Sequence, residues 1–108
     1  MVLKVVMTKY AYNQLKQYIG YIKEQFKSEQ AASAVLEDAR DTNEALKNVA
    51  ESLKYCDDPE LKALGYRTIH FKRHRYFYVY EVKKKTAYIE AVYHDLQDYE
   101  NIFKSTFL

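Results

Sequence analysis

The side chains able to do chemistry are concentrated in one stretch of the chain. Between Tyr66 and Lys85 stand seven lysines and arginines against one acid, Glu81, a local net charge of +6, whereas residues 1–64 together carry −1. A basic field of this kind can steer or hold a polyanion. The same charges at two hairpin turns would also keep the ends of a sheet soluble. The three histidines, His70, His74 and His94, and the lone Cys56 include good metal ligands by type but lack metal-ligand spacing. No metal and no cofactor is expected. A single cysteine forms no internal disulfide, so nothing points to an oxidising compartment.

These residues need a scaffold, and composition bounds it. The chain has 108 residues with 12 Tyr, 5 Phe and no Trp, but only 2 Gly and 1 Pro. That is one domain, residues 1–108, large enough for a core without staples. The aromatic content excludes a disordered chain, and the scarcity of Gly and Pro excludes collagen-like or linker sequence. No run approaches the roughly 18 apolar residues that a membrane span needs. The apolar start, Met1 to Met7, is too short for a signal-peptide core, so a cytoplasmic protein is expected.

Residues 2–7 read as a short strand, and Thr8 stands as a helix N-cap. Ala11, Leu15, Tyr18, Ile22 and Phe26 then share one helical face. Tyr18-Ile19-Gly20 matches half of the GIY-YIG nuclease signature, but no Gly-Ile-Tyr precedes it and it lies inside this helix. Ser28 caps a second helix, expected from Glu29 to Lys54, with a stripe of Val35, Ala39, Thr42, Leu46, Val49 and Leu53. The pair makes an antiparallel helical hairpin. Residues 55–64 read as a polar loop. After Gly65 the period changes to two, giving strands over 66–72, 75–82 and 87–93 in an antiparallel meander. The tail holds a short helix around Asp95–Phe103. The fold class is α+β, in the order β-α-α-β-β-β, with an antiparallel sheet packed on the hairpin.

Strand alternation divides the sheet into two faces. Tyr76, Tyr78, Tyr80 and Val82 point one way, under the hairpin. Arg75, Phe77, Val79, Tyr88, Val92 and His94 are expected on the other face, with Glu81 and Glu90 marking it as open, since a lone buried carboxylate is costly. An open face that is this apolar looks made to be covered by a partner or substrate. The alternative is that the tail folds back over it through Ile102, Phe103, Phe107 and Leu108.

Three segments carry a resemblance: Gly65-Tyr66-Arg67, Arg75-Tyr76-Phe77-Tyr78-Val79-Tyr80-Glu81-Val82, and Val92-Tyr93-His94-Asp95-Leu96-Gln97-Asp98. In this order, behind a helical hairpin, they resemble the second, third and fourth strands of the RelE/ParE superfamily. These are the toxins of bacterial type II toxin–antitoxin pairs, also called plasmid stabilisation proteins. The resemblance runs from Leu3 to Phe103. It implies a cognate antitoxin whose C-terminal segment, disordered when free, wraps the toxin. A homodimer or a hetero-oligomer with the antitoxin is compatible with it.

The resemblance implies one of two activities. RelE-like members cleave messenger RNA on the ribosome without a metal. Such chemistry needs a base for the 2′-hydroxyl, an acid for the leaving oxygen and cations for the phosphorane. Under that reading His94 is the base or acid, Arg75 and Arg67 hold the phosphate, and Tyr99 stacks on a base or assists proton transfer. ParE-like members inhibit DNA gyrase without a catalytic constellation. Here the fourth strand ends beside Asp95 and Asp98, and the net charge is only +2; both oppose phosphate binding. The long hairpin and the His-x-x-x-Asp ending look ParE-like. A gyrase-directed toxin is therefore the expectation, with an endoribonuclease or a non-toxic antitoxin-binding relative as the alternatives. Arg73, Arg75, Phe77, Val79, Tyr88, Val92 and Asp98 are the residues expected to meet antitoxin or target.

Overall fold

A computed structural model describes residues 2–108. The elements are β1 (Lys4–Met7), α1 (Lys9–Phe26), α2 (Glu29–Val49), α3 (Pro59–Ala63), β2 (Arg67–His70), β3 (Tyr76–Lys83), β4 (Thr86–His94) and α4 (Tyr99–Phe107). The sheet order is β1-β4-β3-β2. The meander β2-β3-β4 is antiparallel, as its short connections require. β1 joins it at the edge, parallel to β4. The connection between those parallel strands is long, running through the three helices α1–α3 and then β2 and β3, so it has the length that a parallel pairing demands.

The helical hairpin forms where its caps place it. The Thr8 hydroxyl accepts from the Ala11 amide at 3.2 Å, and the Ser28 hydroxyl from the Ala31 amide at 3.0 Å. Between the two helices Lys27 turns the chain at a φ of 46°. α2 stops at Val49, earlier than the expected Lys54, because the Ala50 carbonyl has partners outside the helix. Arg67 Nη1 donates to it at 2.8 Å and the Tyr80 hydroxyl at 2.7 Å. The expected loop 55–64 contains one helical turn, α3. Asp58 caps it by accepting from the Glu60 and Leu61 amides, and Pro59 opens it. Gly65 leaves that turn at a φ of 90°, where a side chain would be strained.

β1 ends at Met7, opposite Ile89, so the last residues of β4 have no strand neighbour on the β1 side. α1 supplies the partners instead. Gln14 Oε1 accepts from the Val92 amide at 2.7 Å. The Tyr18 hydroxyl donates to Gln97 Oε1 at 2.8 Å, with the Val92 carbonyl 3.2 Å away.

The β3–β4 register corrects the expected face assignment. Val79 lies opposite Ala91, but Tyr80 lies opposite Ile89, so Glu90 is an extra, bulged residue. A bulge shifts the alternation by one and reverses which side chains point to each face. Val92, expected on the open face, therefore packs under the hairpin with Tyr78, Tyr80 and Ile89. Ala91 and Tyr93 pass to the opposite face, with Phe77 and Val79.

That opposite face is not open. Phe103 of α4, Leu61 of α3 and Cys56 cover it, and Phe77, Val79 and Tyr93 are buried. The fold-back of the tail is thus the arrangement observed, though through Phe103 above all. Ile102, Phe107 and Leu108 stay exposed, Phe107 lying against Phe103 and Tyr10. α4 begins at Tyr99 because residues 95–98 are used in a turn that returns the Gln97 side chain to the His94 amide at 2.8 Å. Among the described residues no helix is long and apolar enough to cross a membrane.

Candidate functional site

The tip of the helical hairpin meets the start of β3 and the end of β4 in a cleft of about 390 Å³. Its apolar wall comes from the helices, as Ile22, Phe26, Ala31 and Val35, with Tyr76 from β3. Its polar rim is Arg73, His74, Arg75 and His94. A recess beside it is lined by Gln17, Tyr18, Tyr21, Tyr76 and His94. Phe26 is 69% exposed and Tyr21 59%, so the wall offers apolar surface to a partner.

One buried carboxylate shapes the rim. Asp38 of α2 is fully buried. It accepts from the Lys72 amide at 3.2 Å, the Arg73 amide at 2.9 Å and His74 Nδ1 at 2.8 Å. Burial pushes its carboxyl upward, but the hydrogen bonds from His74, Arg73 and Lys72 and the Arg73 charge outweigh that, and it lies below its ordinary value. The Arg73 guanidinium stands 3.9 Å from Asp38 and bonds Asp41 at 2.9 Å. Arg75, exposed, has no ion pair among the described residues.

The two rim histidines are held through Nδ1 in opposite senses. His74 donates through Nδ1 to Asp38. His94 Nδ1 accepts from the Leu96 amide at 3.1 Å, which assigns its proton to Nε2. The His94 ring stands edge-on to Tyr76 at 5.2 Å.

A second cleft, about 320 Å³, opens beside the other face of the sheet, lined by Lys54, Asp57, Thr68, His70, Phe77, Asp95, Gln97 and Tyr99. His70 lies 3.6 Å from Asp95 and its ring 5.0 Å from that of Phe77. Tyr99 packs edge-on against Phe77 at 5.0 Å. Burial, followed by the neighbouring Cys56, raises the Tyr99 phenol well above its ordinary value.

The four residues considered for RNA cleavage do not converge. His94 and Arg75 share the hairpin-tip cleft. Tyr99 lines the second cleft. Arg67 is structural: besides capping α2 it donates through Nη2 to the Tyr55 hydroxyl at 2.8 Å and stacks 4.2 Å from that ring. Of the residues expected to meet a partner, Arg73 and Arg75 line the hairpin-tip cleft. Val79 and Val92 are buried and offer no surface in this conformation, and Phe77, also buried, shows only an edge in the second cleft. Tyr88 is half-buried opposite Glu81. Asp98 accepts from Asn101 Nδ2 at 2.6 Å at the start of α4.

Asp38, His74 and the helical wall were not among the expected site residues. A signal for Asp38 exists: it falls between Val35 and Ala39 on the apolar stripe, where a carboxylate must have partners.

The family model described as "ParE toxin of type II toxin-antitoxin system, parDE" matches residues 5–99 of the chain. None of the curated proteins matches it. Among solved structures, a chain from the chromosomal ParDE toxin–antitoxin system of P. aeruginosa has the same fold. Its TM-score is 0.71 at 18% identity, covering 86% of this chain and 96% of that one.

Proposed function

This chain belongs to the ParE toxin family of type II toxin–antitoxin systems, and we propose that it arrests growth by binding DNA gyrase and is neutralised by a cognate antitoxin. The family match over residues 5–99 carries this reading. Dispersal of the four candidate catalytic residues favours binding over RNA cleavage, since proton transfer needs acid, base and phosphate ligands around one reacting group. The hairpin-tip cleft suits an antitoxin segment. Its apolar wall takes the hydrophobic side of an amphipathic segment, and Arg75 at the rim takes an acid.

Two measurements test the target. The purified protein is expected to block gyrase supercoiling of relaxed plasmid. Cells expressing it alone are expected to accumulate DNA damage while protein synthesis continues. An early stop in protein synthesis, abolished by Arg75→Ala and His94→Ala in folded protein, would overturn the gyrase reading in favour of messenger RNA cleavage. Phe26→Glu is expected to weaken rescue by the antitoxin encoded beside this gene; unchanged rescue would remove the cleft from the antitoxin site.

A further inference from the structure

The outer side of the helical hairpin carries two lines of opposite charge. Lys9, Lys16 and Lys23 of α1 are exposed and stand seven residues apart. Seven residues make two turns, about 10 Å along the axis, so the three share one line. Gln30, Glu37 and Glu44 of α2 repeat that spacing and are exposed too. Ala11, Leu15 and Ile22 turn α1 to the core, and Val35, Ala39 and Leu46 turn α2 to it, which leaves both lines outside.

An apolar seam accompanies them. Phe26 meets Ala31 and Val35 of α2 in the hairpin-tip cleft, so Ile19 and Tyr12, seven and fourteen residues earlier, also border α2. Leu36 borders α1 in the same way, seven residues after Glu29, which lies 3.9 Å from Lys23. Tyr12 is 53% exposed, and Ile19 and Leu36 are half-buried. Little inside the chain uses the charges. Among the described residues Lys9, Lys16 and Glu37 form no ion pair, and Glu44 meets only Lys47 of its own helix, at 2.8 Å. Gly20 stands on the lysine line between Lys16 and Lys23. A Cβ there would meet nothing within 4 Å. Glycine weakens a helix relative to alanine, and nothing in this chain needs the missing Cβ.

We propose that this face of the hairpin is a two-fold interface between two copies of the chain. The helices of one hairpin run antiparallel, so a two-fold axis along the seam lays α1 of each copy antiparallel on α2 of the other. Equal spacings then match the two lines: Lys9 meets Glu44 of the second copy, Lys16 meets Glu37, and Gly20 meets Ser33. Arg40, the base on the α2 side, meets the neutral Asn13, and Lys23 meets the neutral Gln30. Tyr12, Ile19 and Leu36 of the two copies close over the axis, and the small Gly20 and Ser33 let the helices approach. The face is about 27 Å long and roughly 20 Å wide, about 500 Å² per copy. Some 1,000 Å² in total is the low end for a specific interface. Its ion pairs border solvent, so the dimer is weak and salt loosens it. The glutamates on the same face disfavour nucleic acid as the occupant, since they would repel its phosphates.

The test is sedimentation equilibrium of the full chain in low and high salt, which reads association and not the gyrase target. Wild type should dimerise with a dissociation constant on the order of 100 µM in low salt and more weakly in high salt. Lys16→Glu and Glu37→Lys should each raise the constant about tenfold, because each sets two like-charged pairs face to face. Combined in one chain they should restore it. Gly20→Gln should raise the Tm of the chain and weaken the dimer. A chain that stays monomeric at roughly millimolar concentration in low salt overturns the proposal. So does a dimer that neither swap weakens, or duplex DNA bound by the monomer through Lys16. Should a swap variant fail to fold, Gly20→Gln and the salt series decide: a dimer indifferent to both refutes the interface.

Discussion

Asp38 is the residue on which most of the hairpin-tip cleft depends. A single buried carboxylate organises the turn 72–74 from the helix side, through two backbone amides and one imidazole. Asp38→Asn keeps the shape but removes the charge and one acceptor, so it should cost about 3 kcal/mol of stability in urea denaturation. The carboxyl is depressed in the folded chain. Its contribution is therefore present above the unfolded carboxylate value near 4 and is lost as pH falls through the lower folded value. Wild type should lose stability on acidification more steeply than Asp38→Asn does. The core tyrosines work in the other direction. Burial raises the Tyr80 phenol to about 12, so it remains a donor to Ala50. Because Arg67 shares that carbonyl, Tyr80→Phe leaves it satisfied, and a loss of only about 1 kcal/mol is expected.

Among the elements, the β3–β4 turn carries visible strain. Lys84 and Lys85 sit at φ values of 48° and 61°, the left-handed pair that a two-residue hairpin turn demands and that Asn-Gly supplies at less cost. Replacing Lys84-Lys85 by Asn-Gly should stabilise the chain by about 1 kcal/mol, seen as a higher Tm. Lys85 also gives its carbonyl to the Lys4 amide at 3.2 Å, so the turn anchors the start of β1 as well. At the other end of the chain α4 is fixed by a buried ring and by the ion pairs of Lys104 with Asp58 and Glu60. Phe103 is fully buried, and Lys104 Nζ lies 2.7 Å from Asp58. The Lys104 hydrogen bond lowers the Asp58 carboxyl, and that carboxyl also caps α3. Lys104→Ala is expected to speed amide exchange in α4 and leave that of β3 unchanged.

For the molecule as a whole, β3 joins two cores. Its alternate residues, Tyr78 and Tyr80 on one side and Phe77 and Val79 on the other, belong to different buried clusters. Neither cluster persists once β3 leaves the sheet, so the chain should unfold in one step. Phe103→Ala should lower the midpoint of the entire transition, costing about 3–5 kcal/mol, with far-ultraviolet dichroism and tyrosine fluorescence still coincident. Two separated transitions would show that the α4 side melts on its own. The same two-sided burial accounts for the tyrosines. Several are structural pillars with bonded or shielded phenols, while Tyr21 and the half-buried Tyr18 and Tyr76 face the recess beside the hairpin-tip cleft.

Local sequence determined the elements. The caps at Thr8 and Ser28, the helical stripes and the switch to a period of two after Gly65 act over a few residues, so they are legible in order along the chain. They also sufficed for the family resemblance, which the match over residues 5–99 upholds. The pairing of distant segments was decided only in the tertiary structure. The bulge at Glu90 exists because β3 and β4 settle into a register that one extra residue must accommodate, and that register moved Val92 from one face to the other. Whether the second face stayed open depended on where α4 could bury Phe103, and whether Arg67 was free depended on the carbonyl left by α2 at Ala50. Each is a competition between partners far apart in sequence, and strand alternation carries no term for it.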